Sequence, residues 1–149
     1  MGARLEDTKA REAIGRLLRK LDSPREGMKE IGEIAYESVL TNFEKGGGPD
    51  GAWPKLAEST ILQRTRKGKW PGKILVRAGA AGGLLGSIHY QAFDDKVVLA
   101  ANKVYAAIHH HGGKAGRGRS VDIPARPFMA VRREAWREMK ASLEEWLLE

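Results

Sequence analysis

Apolar residues recur every three to four positions from Leu5 to Leu21, placing Ala10, Ile14, Leu17, Leu18 and Leu21 on one face of an amphipathic helix. Asp22-Ser23-Pro24 then starts a second helix, a capping residue followed by proline at the first helical position. Its apolar face is Met28, Ile31, Ala35, Val39 and Phe43, and Gly46-Gly47-Gly48-Pro49 ends it. Pro49-Asp50-Gly51 is a turn, because proline presets φ and glycine accepts positive φ. Trp53 is an unexpected residue for such a loop. A short helix is predicted over Ser59–Lys67 and a strand over Lys73–Gly79 ("KILVRAG").

After the glycine-rich Gly79–Gly86 the pattern predicts a helical turn at Leu84–Ser87 and a strand at Ile88–Phe93. A turn at Asp94-Asp95 leads to a return strand at Lys96–Ala101. Val104–His111 suits a short helix, Gly112–Arg119 a mobile loop, and Val121–Ile123 a last strand broken by Pro124 and Pro127. Ala130–Leu148 closes with a strong amphipathic helix aligning Ala135, Met139, Leu143, Trp146 and Leu147. Helices at both ends and strands between them predict one α+β domain over residues 1–149, with a small, mainly antiparallel sheet.

With 149 residues the chain is long enough to bury an ordinary core, and its 42% apolar and 30% charged content is that of a globular protein. It has no cysteine, which excludes disulfides and thiolate metal sites and fits a reducing compartment. No apolar run reaches membrane-span length, the charged start lacks a signal-peptide core, and Glu6 stands where myristoylation needs Ser or Thr. A soluble cytoplasmic product is expected. The net charge of +7 is unevenly spread: Lys55–Arg77 contributes +6 and Lys114–Arg133 +5, leaving −4 for the remainder. Acid gathers in Asp22–Asp50 and Glu134–Glu149. Segregated charge of both signs fits protein–protein docking at least as well as nucleic-acid binding.

Three adjacent histidines, His109, His110 and His111, invite a metal-site reading. Adjacent residues on a helix point about 100° apart, so only two could share one centre, and neither a distant His89 nor an acidic cluster completes it. Acid/base catalysis would need an orienting carboxylate, and Asp122 is the nearest in sequence. Gly86-Ser87 does not complete a nucleophile elbow, and no Gly-Lys pair continues into a phosphate loop. No cofactor is implied, and the chain does not read as an enzyme. In "QRTRKGKWPGK" (Gln63–Lys73) cations surround Trp70, which could hold phosphates while the ring stacks a base; the plainer reading is a solvated basic loop with an anchoring tryptophan. The alternative class is therefore a nucleic-acid-binding protein using Lys55–Arg77 and Lys114–Arg133.

One ordered set of fragments goes further. Phe43, "PDGAWPKL" (Pro49–Leu56), Thr60, "ILV" (Ile74–Val76), Leu84, Ser87-Ile88, "VYAAIHHHGG" (Val104–Gly113) and "IPARPFM" (Ile123–Met129) resemble, in this order, the phage virion morphogenesis family, tail completion proteins of the kind found in phage Mu. The resemblance implies a non-catalytic structural protein of a tailed phage or prophage, made in the host cytoplasm and then part of the virion. It would act at the head–tail junction or tail terminus, with other head–tail or tail proteins as partners and a homo-oligomeric ring as one arrangement. The positions it carries over are Trp53, Leu56, Thr60, Leu84, Ser87, Tyr105, His109, Gly112, Pro124, Arg126, Pro127 and Phe128. It leaves His110 and His111 incidental. "RAGAAGG" (Arg77–Gly83) departs from the family pattern, with alanine in place of threonine and about three extra residues, so Gly79 and Gly82 both remain candidates for the motif glycine. Between its prolines Arg126 is held extended, ready for a fixed bidentate contact, either internal or across a subunit boundary.

Overall fold

The computed structural model describes residues 2–77, 79 and 82–149, with residues 2–7 described by their backbone alone. Its elements are α1 (Gly2–Asp22), α2 (Arg25–Lys45), β1 (Gly47–Gly48), β2 (Gly51–Ala52), α3 (Glu58–Arg66), β3 (Ile88–Ala92), β4 (Val97–Ala101), α4 (Ala106–His111), β5 (Gly113–Ala115), β6 (Val121–Ile123) and α5 (Arg133–Leu148). This is the α+β architecture with long helices at both ends. The strands form three antiparallel ribbons, β1–β2, β3–β4 and β5–β6, in place of one continuous sheet. Each ribbon is a local hairpin.

Helix α2 is the spine, packing against α5 and against the β3–β4 ribbon. It follows Pro24, whose carbonyl accepts from Met28 N at 3.0 Å, and stops at Gly46, where φ is +63°. Val39 and Phe43 lie in the main core with Trp53, Leu84, Ile88, Ala106 and Phe128. Phe43 touches Trp53 edge-on at 5.6 Å between centroids and Phe128 at 5.5 Å, so Trp53 pins the β1–β2 hairpin to α2. Burying rings as fully as Phe43 and Phe128, each 1% exposed, stabilises by about 1.5–3 kcal/mol apiece. A second cluster of Ala35, Ala135 and Met139 joins α2 to α5. Along β3, Ile88 and Ala92 are buried while His89 and Gln91 are exposed, the alternation expected of a half-buried strand.

Two sequence expectations fail. Lys73–Arg77, the described part of the expected "KILVRAG" strand, contains no strand: the chain turns at Ile74-Leu75, with Leu75 at φ +63°. Ile74, Leu75 and Val76 still pack on the core, but among the described residues no neighbouring strand offers them a ladder. A short apolar run can be buried as a loop as well as a strand, and periodicity does not distinguish the two. Ala78, Ala80 and Ala81 of the divergent "RAGAAGG" lie outside the described residues. Conversely, Gly112–Arg119 is no irregular loop. Gly113–Ala115 pairs with Val121–Ile123, and a single 3₁₀ turn at Arg117–Arg119 closes the hairpin. Gly116 and Gly118, at φ +78° and +68°, supply the tight turn, and Lys114 pairs across the ribbon with Asp122 at 3.4 Å.

Candidate docking cleft

A cleft of about 510 Å³ opens between α3, the segment before it, α4 and β6. Leu56, Ala57 and Thr60, then Leu75 and Leu84, then Tyr105, His109, Ile123 and Pro124 are among the residues that line it. Seven of the twelve family-motif positions therefore meet here: Leu56, Thr60, Leu84, Tyr105, His109, Pro124 and Arg126.

Arg126 holds the cleft together. Held extended between Pro124 and Pro127, it donates from Nε to the Pro54 carbonyl at 3.0 Å and from an Nη to the Lys55 carbonyl at 2.9 Å. Its own amide donates to the His109 carbonyl at 2.9 Å. One residue thus ties α4, β6 and the loop before α3, and the bidentate contact left open by the sequence is internal. Burial lowers its pKa from the usual arginine value.

The other motif positions support this lining. Trp53 and Phe128 lie in the core beneath. Ser87 donates from Oγ to the Leu84 carbonyl at 2.7 Å, closing the turn that presents Leu84. Gly112, at φ +75°, has Ala125 N and Ile123 O where a Cβ would stand, at 2.8 and 2.9 Å, so no other residue fits without displacement. Pro127 is exposed and faces a separate recess beside Trp53 and the β1–β2 turn.

The three histidine rings go to three environments. His109 lines the cleft edge-on to Tyr105. His110 packs against Phe128, and its Nδ1 accepts from Met129 N at 3.4 Å. His111 is exposed. Burial, and then Arg126, push His109 below the usual histidine pKa; burial, and then His111, do the same to His110. Among the described residues no group of three or more His, Cys, Asp or Glu could hold a metal ion. His110 thus has a packing role that the resemblance left aside.

Sequence reasoning missed Arg64 as a cleft residue, counting it only among the exposed cations. It is 8% exposed, and an Nη donates to the Lys73 carbonyl at 2.9 Å. Its i, i+4 spacing from Thr60 on α3 was the available clue. Arg132 likewise donates to the Gly47 carbonyl at 2.7 Å, so three cations of the two basic stretches (Arg64, Arg126 and Arg132) serve the fold. Arg66, Lys67, Lys69 and Trp70 remain exposed. Among the described residues no helix is long and apolar enough to cross a membrane.

Fold and cleft define a small α+β protein with a largely apolar cleft bordered by arginines. The chain belongs to the phage virion morphogenesis family, whose model matches residues 5–148. It is 38% identical to the Mu-like prophage FluMu G protein 2 of Haemophilus influenzae over 106 residues, 70% of this chain and 64% of that protein. It is 34% identical to the protein of Escherichia phage Mu named "Putative capsid assembly protein G" over 92 residues, 60% of this chain and 57% of that one. The matched region spans less than two thirds of the length of either relative. No solved structure matches the chain.

Proposed function

We propose that this protein is a non-catalytic assembly component of a phage or prophage virion, acting in tail completion at the head–tail junction or tail terminus. It would be made in the host cytoplasm and retained in the particle. The observation that supports this most is the convergence of family-motif positions on one apolar, arginine-bordered cleft, a shape suited to receiving part of a neighbouring protein. Complementary charge is available on the same chain. Glu26, Glu30, Glu33 and Glu37 form an exposed acidic stripe along α2, and Glu144 and Glu145 are exposed near the end of α5. Unlike surfaces on one subunit favour head-to-tail contacts, which close into rings when the rotation allows. The experiment is deletion of the gene from an inducible phage, followed by electron microscopy of the lysate. Unjoined heads and tails, or tails of aberrant length, are expected; normal infectious particles would end the proposal.

A second reading, nucleic-acid binding, is favoured by the exposed Arg66, Lys67, Lys69 and Trp70. It requires salt-dependent binding with a steep slope that is lost when Arg66 and Lys67 are neutralised. Binding absent at physiological salt returns the assembly reading.

A further inference from the structure

The cleft carries positive charge that the described residues of its lining do not balance. Arg64 and Arg77 both line it, and Asp122, the acidic residue among its described lining, is already paired with Lys114 at the surface. The Nε of Arg64 is buried without a hydrogen-bond partner among the described residues, and so is the Nδ1 of His109. Arg77 bonds only weakly, to Gln63 Oε1 at 3.3 Å. The burial of Arg64, and then the proximity of Arg77, weaken the hold of Arg64 on its proton. Two guanidinium groups beside an apolar lining, with unpaired polar atoms, are complementary to an apolar side chain flanked by carboxylates.

Among the described exposed faces of the three long helices α1, α2 and α5, one offers a match. Ile14, Leu18 and Leu21 of α1 are exposed, but Arg16 and Arg19 stand among them. Trp136 of α5 is flanked by Arg132, Arg133, Arg137 and Lys140. Both have the wrong sign. The α2 stripe has carboxylates, but the exposed large apolar side chains do not include one from α2. Near the end of α5, by contrast, Leu148 is 82% exposed beside Glu144, Glu145 and Glu149. Glu144 is held only by an exposed contact to Lys140 at 3.7 Å, a kind of pair that contributes little.

We propose that the cleft receives the last turns of α5 from a second copy of this chain, with Leu148 against Leu56, Leu75 and Leu84 and with Glu144 and Glu145 against Arg64 and Arg77. The donor and acceptor surfaces differ, so each copy can give and receive, which is the geometry of a ring or open stack. This inference rests on the assembly reading and names the partner of its cleft.

The absence of cysteine makes the test clean. Full-length Thr60→Cys and Leu148→Cys chains are mixed at high concentration and oxidised. The mixed disulfide dimer is expected to exceed both homodimers by more than random pairing of the two chains gives. Arg77→Glu in the Thr60→Cys chain should lower its yield about tenfold, the effect of inverting one close charge pair, and Glu145→Arg in the other chain should restore it. Arg77 is exposed, so its variant keeps the fold, which circular dichroism checks. A mixed dimer in no more than the yield of random pairing, or one indifferent to both charge changes, would overturn the inference. Arg77→Glu phage with assembly defects but an unchanged crosslink would also overturn it, because the cleft would then serve another virion protein while the assembly reading stands. A normal deletion phage with a charge-dependent mixed dimer would do the reverse.

Discussion

Arg126 and Lys55, 71 positions apart, are joined by a 2.9 Å hydrogen bond from guanidinium to backbone carbonyl, beside a second bond from Arg126 to Pro54. The side chain is 5% exposed, so these bonds close the wall of the cleft from inside the protein. Hydrogen bonds to a charged group contribute about 1.5–3 kcal/mol each, and Arg126→Ala should destabilise by on the order of 3 kcal/mol once water repairs part of the loss. Arg126→Lys should recover little, because an ammonium cannot reproduce the two-pronged geometry. Urea denaturation is the measurement: a lowered midpoint at constant slope is expected, and a lysine variant as stable as the parent would refute the account.

A second prediction concerns Gly32, where an added Cβ would lie 2.4 Å from Cδ2 of Tyr90. Gly→Ala in an exposed helix interior stabilises by about 1 kcal/mol through propensity. Here overpacking, typically about 1–3 kcal/mol, should win, because the Tyr90 ring also packs against Tyr36 at 6.0 Å and has little room to retreat. Gly32→Ala should therefore lower the melting temperature, and Tyr90→Leu in the same chain should make the alanine tolerated. A stabilised single variant would show that the ring moves freely.

Much of this fold was legible from periodicity. The helices around Val39 and Met139 and the β3–β4 hairpin follow from local patterns that tertiary packing reinforces. The strand assigned to "KILVRAG" was misread because Ile74, Leu75 and Val76 are apolar for burial, not for pairing. Val121–Ile123 was read as a strand, as β6 is, but its partner β5 was missed because Gly and Arg dominate Gly112–Arg119 and its glycines work through φ. For the cleft, the resemblance supplied Leu56, Thr60, Leu84, Tyr105, His109, Pro124 and Arg126. Arg64 and Arg77 escaped because a cation in a basic stretch looks solvated until the chain is folded.

Asn42 gives a third prediction. It is fully buried and donates from Nδ2 to the carbonyls of Phe128 at 3.0 Å and Ala130 at 2.7 Å, linking α2 to the segment entering α5. Asn42→Asp keeps the shape but sets a carboxylate against two carbonyls. A loss on the order of 3 kcal/mol is expected at neutral pH, from two missing bonds and a buried charge. Burial raises the folded-state pKa of that carboxyl above its unfolded value near 3.9, so the penalty should shrink as pH falls through the folded pKa. Denaturation of parent and variant at a series of pH values measures it. A penalty that grows on acidification would contradict the geometry.

The parent chain should show the opposite trend, through His109 and His110. Both are pushed below the usual histidine pKa, chiefly by burial, and His110 Nδ1 accepts from Met129 N only while that nitrogen is unprotonated. The unfolded chain titrates near pH 6.5, so below about that pH it binds protons that the folded chain refuses. Unfolding free energy then rises with pH, because the unfolded state carries the extra protons. The stabilisation is complete above the unfolded pKa and is lost as pH falls through the window down to the folded values, where the loss levels off. Urea midpoints taken from about pH 7.5 to about pH 5 should therefore decline. The double variant His109→Gln, His110→Asn should be less stable at neutral pH, where the Met129 contact is disturbed, but should decline less on acidification. Equal slopes for parent and variant would mean that these rings take up protons freely in the folded state, and the burial argument for both would fail.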